Sequence, residues 1–205
     1  MPRRGHCRYS VGSKAGAMNF TFPARFLFLR SLLLNPKAMG SVIASSQRLC
    51  KLMASSVDPA NSCVLEIGAG TGAITRALLE RKLHPERLVI IERDPSLVAF
   101  LRHEFPGVRV RCGEAIHLRR ILRNESMPRI NTIVSSLPLR NLAQEDRMRN
   151  VRAMVGALGP EGQLIQYTYA AGCPIPSQPL GLNAECLGHV WRNLPPAAVW
   201  RFTRH

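Results

Sequence analysis

Residues 64–72 read VLEIGAGTG, and this stretch decides the fold. A short run of strand character, Val64 to Ile67, passes into alternating glycines at Gly68, Gly70 and Gly72 and then straight into a helical pattern at Ala73. Glycine at such a corner lets the backbone turn sharply and lie against a ligand with no Cβ in the way. An acid, Glu66, precedes the first glycine by two positions. A dinucleotide fingerprint has the spacing G-x-G-x-x-G and sets a pyrophosphate on the helix N-terminus. Here the spacing is G-x-G-x-G with an acid beside it, which suits a ligand carrying an ammonium group and no phosphate.

Outward from this corner, strand-like and helix-like segments alternate. The strands read CVLEIG (63–68), RLVIIE (87–92), VRVRC (108–112), NTIVSSL (131–137) and QLIQYTYA (163–170). Between them lie helical patterns, AITRALLERK (73–82), PSLVAFLRHEF (95–105) and AQEDRMRNVRAMVGAL (143–158). Short β-branched runs separated by helices imply right-handed crossovers and a parallel sheet covered on both faces. A Pro- and Gly-rich stretch, residues 170–183, reads as a loop, and HVWRN (189–193) with AVWRFTR (198–204) reads as a closing hairpin around Leu194-Pro195-Pro196. The expected fold is α/β and Rossmann-like, a mostly parallel seven-stranded sheet ending in an antiparallel hairpin: the class I methyltransferase variant.

Three acids fall at successive strand ends. Glu66 stands under the glycines, Glu92 ends the second strand, and Glu114 lies in Gly113-Glu114-Ala115 after the third. An acid about 20 residues beyond the glycines accepts hydrogen bonds from ribose hydroxyls in Rossmann-type sites. Glu66 suits an ammonium, and Glu114 an adenine amino group. With Gly68, Ala69, Gly70, Thr71, Gly72 and Arg93 these residues form the expected cofactor site, and together they favour S-adenosylmethionine over a nicotinamide cofactor. No metal is expected, because the six cysteines are scattered without a C-x2-C spacing. Cys63 and Cys112 read as small core residues in a reducing compartment. His117, a lone histidine after a strand, reads as a surface or capping residue.

The net charge of +15 over 205 residues points to a polyanionic partner, nucleic acid or an anionic membrane surface. No Asp or Glu occurs before Asp58, whereas Arg3, Arg4, Arg8, Lys14, Arg25, Arg30, Lys37, Arg48 and Lys51 all do. Residues 1–18 lack hydrophobic periodicity and read as a disordered basic tail, with Met18 a possible alternative start. Residues 19–57 read as two N-terminal helices. The first is the apolar segment from Ala24 to Leu34, whose Arg25, Phe26, Phe28, Leu29, Arg30, Leu32 and Leu33 suit contact with a membrane interface, with packing on the domain as an extra core helix the alternative. Ser45 to Ser56 is the second. The catalytic domain then spans 58–205. No apolar run reaches the ~18–20 residues needed to cross a bilayer. The Arg-rich, acid-free start also has the character of a mitochondrial transit peptide.

On these motifs the chain resembles the bacterial phospholipid N-methyltransferases, which methylate phosphatidylethanolamine stepwise and are themselves related to the ribosomal RNA adenine dimethylases. The similarity runs from about Phe26 to the end and includes NPKAMGSVIASSQRL (35–49), VLEIGAGTGAITRALLER (64–81), IVSSLPL (133–139), QYTY (166–169) and VWRNLPPAAVWRF (190–202). RNA adenine dimethylases carry Asn-Leu-Pro followed by an aromatic ring that stacks the flipped base. Here Ser136-Leu137-Pro138-Leu139 has no such ring, which argues against a base as acceptor. Ala44 stands where the lipid enzymes lead one to expect proline.

The resemblance implies a phospholipid amine as acceptor, an anionic membrane as partner, and a location on the inner, cytoplasmic face of the membrane. RNA adenine methylation is the alternative. It further implies that Ser135, Ser136, Leu137 and Pro138 orient the amine, that Ser45 and Ser46 cover the site, and that Leu139 and Tyr169 line the acceptor side. Tyr169 can face a methylated ammonium; a ring packed in the sheet is the alternative for Tyr169 and the favoured reading for Tyr167. No general base stands out.

Overall fold

The computed structural model describes residues 39–123, 129–170, 172–191, 193 and 195–205. The chain divides after Met39, and the architecture described belongs to the unit Gly40–His205. The tail 1–18 and the candidate interfacial residues Arg25, Phe26, Phe28, Leu29, Arg30, Leu32 and Leu33 lie outside the described residues.

Helix α1 (Met39–Ser55) leads into β1 (Val64–Ile67), α2 (Ala73–Glu80), β2 (Leu88–Glu92), α3 (Pro95–Glu104), β3 (Arg109–Cys112), α4 (Leu118–Leu122), β4 (Thr132–Ser135), α5 (Gln144–Ala157), β5 (Gln163–Thr168), β6 (Leu182–Val190) and β7 (Ala197–Arg204). The seven strands form one sheet in the order β3-β2-β1-β4-β5-β7-β6. β1 pairs in parallel with both β2 and β4, while β7 runs antiparallel to β5 and to β6. The order therefore reverses beside β1, and in open α/β sheets the crevice outside the strand ends at such a switch point is where ligands bind.

Period-2 alternation divides the apolar side chains between two layers. Val64, Leu88, Ile90, Val110, Val134 and Ile165 face one core with Met53 of α1, Leu78 of α2 and Leu101 of α3. Leu65, Ile67, Val89, Ile91, Ile133 and Leu164 face the other with Leu118 of α4 and Val151 and Met154 of α5. All residues of β1 and β2 are buried, as parallel strands covered on both faces must be. Asp94 caps α3 by accepting from the Ser96 and Leu97 amides, and Pro95 occupies the first turn, where its missing N–H costs nothing.

The expected architecture holds, with three differences in the elements. The helix expected from Ser45 begins at Met39. The short helix α4, with a 3-10 turn over Ala115–His117, fills the crossover after β3, where no helix was read. The hairpin starts at Leu182 and not at His189, because β6 is an edge strand whose residues between Leu182 and Val190 are largely exposed. Such a strand carries little hydrophobic alternation and owes its conformation to pairing with β7, across a bulge between Cys186 and Gly188. Cys63 is buried as expected, while Cys112 is only partly buried.

The helix after the glycine corner fits only because Gly72 lacks a side chain. Its φ is +79°, and a Cβ there would lie 2.3 Å from Cε2 of the buried Phe105 ring. Gly72→Ala is expected to cost about 2–5 kcal/mol, a left-handed penalty of roughly 1–2 plus overpacking of roughly 1–3. A urea midpoint equal to that of the wild type would refute this account of the corner.

Candidate active site

Alternation along β1 and β2 puts Glu66 and Glu92 on the same sheet face, the one covered by α1, α2 and α3. Glu66 sits opposite Ile90 in the ladder, and Glu92 is two positions further on. Above them the backbone takes positive φ at Gly68 (+73°), Gly70 (+57°) and Gly72 (+79°). A Cβ at Gly70 would meet nothing within 4 Å, so this glycine borders open space and its conformation alone requires the residue type. Ala69 is partly buried and Thr71 exposed.

The Glu66 side chain is wholly buried. Its Oε2 accepts a 2.7 Å bond from the Thr75 hydroxyl on α2, whereas Oε1 has no partner. Burial pushes its carboxyl up from 4.5 to about 7, partly opposed by the Thr75 hydrogen bond and supported by the charge of Glu92. Cys50 of α1 shares this pocket of low polarity. Burial, with the neighbouring Glu66 charge, raises its thiol to about 11. An orphaned buried carboxylate oxygen is costly, and an incoming ammonium would repay it. The residues present therefore fit the cationic amino-acid end of adenosylmethionine.

Glu92 is held differently. Its Oε2 accepts from the Gly70 amide (3.0 Å), and Oε1 accepts from the amides of Arg93 (2.8 Å) and Asp94 (3.1 Å). Three backbone donors against about four lone-pair directions leave room for one hydroxyl and fix the carboxylate in place. The third acid is less constrained. Glu114 is exposed and its side chain caps nothing, while Ala115 behind it is buried. Gly113 donates to the Glu92 carbonyl, and a Cβ on it would come within 2.5 Å of Ile121. Arg93 and His117 are exposed, and His117 precedes α4 with no side-chain cap bond.

On the other side of β1 the end of β4 forms a second corner, close enough that a Cβ on Gly68 would touch Leu137 at 3.5 Å. The Ser136 amide donates to the Ile67 carbonyl, tying this corner to β1. Ser135 is fully buried, and its hydroxyl accepts from the Leu137 amide at 3.3 Å. Its hydroxyl thus braces the corner and is not offered to an acceptor. Ser136 and Leu137 are partly exposed and Pro138 is exposed. Leu139, expected on the acceptor side, is instead 1 % exposed in the core with Ile133 and Met154. The turn after Pro138 swings the side chain inward, so Leu139 supports the corner from beneath. Ser45 and Ser46 lie in α1, with side chains outside the described ones.

Three residues missed by sequence reading complete the site. Gln166, buried opposite Ser135, donates to the Leu137 carbonyl at 3.0 Å and to the Tyr167 carbonyl at 2.8 Å. The only signal for it was a polar residue inside an apolar strand. Thr75 is the buried partner of Glu66. Asn193, in the turn after β6, is buried and donates to the Pro195 carbonyl at 2.9 Å. The two tyrosine rings sit edge to face with centroids 5.3 Å apart, and burial raises both phenols. Among the described residues no group of three or more His, Cys, Asp or Glu could hold a metal ion. A polar depression of about 350 Å³ lies at the opposite end of the strands, lined in part by Asn131, Thr132 and Gln163, remote from the glycine corner.

The raised carboxyl of Glu66 has a measurable consequence. Between pH about 4.5 and about 7 the folded chain keeps a proton that the unfolded chain has released. The Glu66 contribution to stability is therefore fully present in acid and is lost as pH rises through that window. Glu66→Gln is expected to flatten the fall in urea midpoint between pH about 5 and about 7.5. Equal slopes for the two proteins would show that the carboxyl is not held neutral.

Comparison with known proteins gives this geometry its family. The ribosomal RNA adenine dimethylase model matches residues 22–113. The chain is 31 % identical over 148 residues to ornithine lipid N-methyltransferase of Singulisphaera acidiphila, covering 70 % of this chain and 77 % of that protein. It is 41 % identical over 75 residues to ribosomal RNA small subunit methyltransferase A of Chlorobium phaeobacteroides, but spans only 28 % of that relative and 36 % of itself. Magnesium protoporphyrin IX methyltransferase from Synechocystis shares the fold with a TM-score of 0.61 at 9 % identity, over 94 % of this chain and 87 % of that one. The lipid enzyme is matched over most of its length, and with it the chain belongs to the S-adenosylmethionine-dependent methyltransferases related to the ribosomal RNA adenine dimethylases.

Proposed function

We propose that this methyltransferase methylates the amine of phosphatidylethanolamine, and of its mono- and dimethyl forms, while docked on the inner, cytoplasmic face of a membrane. The observation that carries the reading is the acceptor corner: the residue after Pro138 is a leucine turned into the core, so that position offers no ring to stack a flipped base. The relative matched over 77 % of its length is named for methylating a lipid nitrogen, which supports the same acceptor class. The apolar, acid-free segment 24–34 is the membrane contact in this reading, with residues 1–18 a basic tail, 19–57 the docking and covering helices, and 58–205 the catalytic domain.

Glu66 would take the cofactor ammonium and Glu92 a ribose hydroxyl. The backbone of Gly68, Ala69, Gly70, Thr71 and Gly72 would hold the cofactor from below, with Arg93, Gly113, Glu114 and Ala115 on its adenine side. When bound, adenosylmethionine supplies an electrophilic methyl group. The chain's own residues have to hold the amine lone pair in line with that methyl, and orientation of this kind can supply roughly 7–11 kcal/mol of the barrier. The backbone of Ser135, Ser136, Leu137 and Pro138 orients the amine, with the Ser136 hydroxyl as the side-chain contact. Ser135 and Gln166 keep this corner rigid. An aliphatic amine with a pKa near 10 is mostly protonated in water, and its transfer to a dry crevice favours the neutral, nucleophilic form. The Tyr169 ring, packed edge to face on Tyr167, faces the ammonium that grows with each methylation. Ser45 and Ser46 cover the site from α1.

RNA adenine methylation is the second reading, favoured by the family model over residues 22–113 and by the net charge of +15. Both acceptors are anionic, so salt-sensitive binding to either decides nothing. Turnover decides. With labelled adenosylmethionine, methyl transfer is expected to phosphatidylethanolamine in mixed anionic vesicles and to be nearly absent with ribosomal RNA. Methylated RNA beside inert vesicles would overturn the lipid acceptor and leave the cofactor site standing. Independently, Glu92→Ala is expected to weaken adenosylmethionine binding by about 1–3 kcal/mol, the scale of lost charge-assisted hydrogen bonds. An unchanged affinity by calorimetry would remove Glu92 from the site.

A further inference from the structure

The chain's two tryptophans occupy opposite environments. Trp200 lies within β7, partly covered, with its indole nitrogen buried. Trp191 is 74 % exposed, more than any other large apolar side chain among the described residues. Its ring stacks on His189, with centroids 5.1 Å apart and planes 12° apart. An indole buries some 150–250 Å² when enclosed, so a rigid ring left in water forfeits a large apolar gain unless something covers it.

The topology gives this ring its place. β6 is antiparallel to β7, which is antiparallel to β5, so β6 runs with the parallel strands and ends where the glycine corner and the β4 corner lie. Trp191 follows its last residue. Two positions on, Asn193 is 5 % exposed and donates to the Pro195 carbonyl at 2.9 Å. Val190, just before the ring, packs in the same core cluster that Tyr169 joins. One turn is thus packed inward and presents an aromatic ring outward. Helix α1 runs beside the end of β6, since Leu52 lies 3.4 Å from where a Gly188 Cβ would stand. Exposed Arg48, one turn before Leu52 on the same stripe, and exposed Lys51 give this helix a basic surface, and it contains no acid. The acid of β6, Glu185, is paired with Arg201 at 2.5 Å.

We propose that Trp191, backed by His189 and with Arg48 and Lys51 on the neighbouring helix, is a membrane-interface anchor that seats the acceptor end of the sheet on an anionic bilayer. Indole rings favour the headgroup level of a membrane, where an apolar body and an N–H are both accommodated, and basic side chains beside them draw anionic lipid. The anchor rests on the lipid reading above and adds a contact separate from segment 24–34. Because Val190, the residue before the ring, packs in the core that Tyr169 joins, insertion brings the acceptor side to the depth at which headgroups lie.

The test uses the full chain carrying Trp200→Phe, which leaves Trp191 as the one tryptophan. With phosphatidylglycerol–phosphatidylcholine vesicles its emission is expected to move to the blue and to be quenched by brominated acyl chains. Should that variant fold poorly, the difference spectrum between wild type and Trp191→Ala reads the same ring. Trp191→Ala is also expected to weaken vesicle partition about tenfold, the effect of withdrawing one large apolar side chain, with adenosylmethionine affinity unchanged. If the chain binds vesicles while Trp191 emission stays put, the anchor is overturned and the lipid reading stands. If the intact chain does not bind vesicles at all, both fall. Quenching by an oligoribonucleotide with no response to vesicles would likewise overturn the anchor and make the ring a base-stacking platform.

Discussion

Everything at this site depends on a backbone reversal that only glycine accommodates. Between β1 and α2 the chain takes left-handed φ at Gly68, Gly70 and Gly72, and Phe105 fills the place where a side chain on the last of them would go. The reversal lets α2 return directly over the sheet, which brings Thr75 onto Glu66. It also points the Gly70 amide at Glu92, so a single turn aligns both acids. The corner therefore acts as the hinge of the architecture and as the floor of the ligand site, and its geometry cannot be relaxed for one role without loss of the other.

The two faces of the sheet contribute in different ways. The face under α1, α2 and α3 carries the ionisable groups: Glu66 with an unsatisfied oxygen, Glu92 fixed by three amides, and the Cys50 thiol pushed upward by burial. The opposite face carries neutral polar groups, Ser135 and Gln166, whose hydrogen bonds are spent on the shape of the β4 corner. Charge recognition and the bracing of the β4 corner are thus separated by the thickness of one sheet, while Tyr169 packs on the face that carries the acids. A buried carboxyl that lacks a partner is an expense to the free protein, and it is consistent with a site whose ligand carries the missing cation.

This separation bears on the kinship between lipid and RNA methyltransferases. The matched region shared with the RNA dimethylase model, residues 22–113, contains β1, β2, β3 and the glycine corner. The β4 corner, Tyr169 and the β6–β7 turn lie outside it. Cofactor recognition can be inherited intact while the acceptor half is rebuilt, because the two halves hang from different strands. The proposed lipid acceptor draws on both parts: the segment 24–34 within the matched region, and outside it the absence of a ring after Pro138 and an outward ring at Trp191.

Much of this was legible in the residues alone. Alternating apolar segments with glycine punctuation specify a doubly covered parallel sheet, since period-2 burial on both faces leaves continuous apolar strands, and the acids at the ends of β1 and β2 follow from their spacing to the glycines. Sequence also carried the closing hairpin, through its aromatic strand β7. Other features arise from contacts between distant segments and leave no local pattern. β6 is an exposed edge strand made by its partner, so it began seven residues earlier than its apolar pattern suggested. Leu139 was read as an acceptor-side residue because it follows Pro138, yet the turn there carries it into the core, where burial outweighs sequence position. Ser135 was read as orienting the amine, and the fold already engages its hydroxyl with the Leu137 amide. The role of Gln166 depends on the Leu137 carbonyl, 29 residues away. Sequence determined which elements form and which acids can meet a cofactor. Only the tertiary structure decided which of the polar side chains were already engaged and which ring was left facing outward, because engagement and exposure are properties of packed neighbours and not of any one segment.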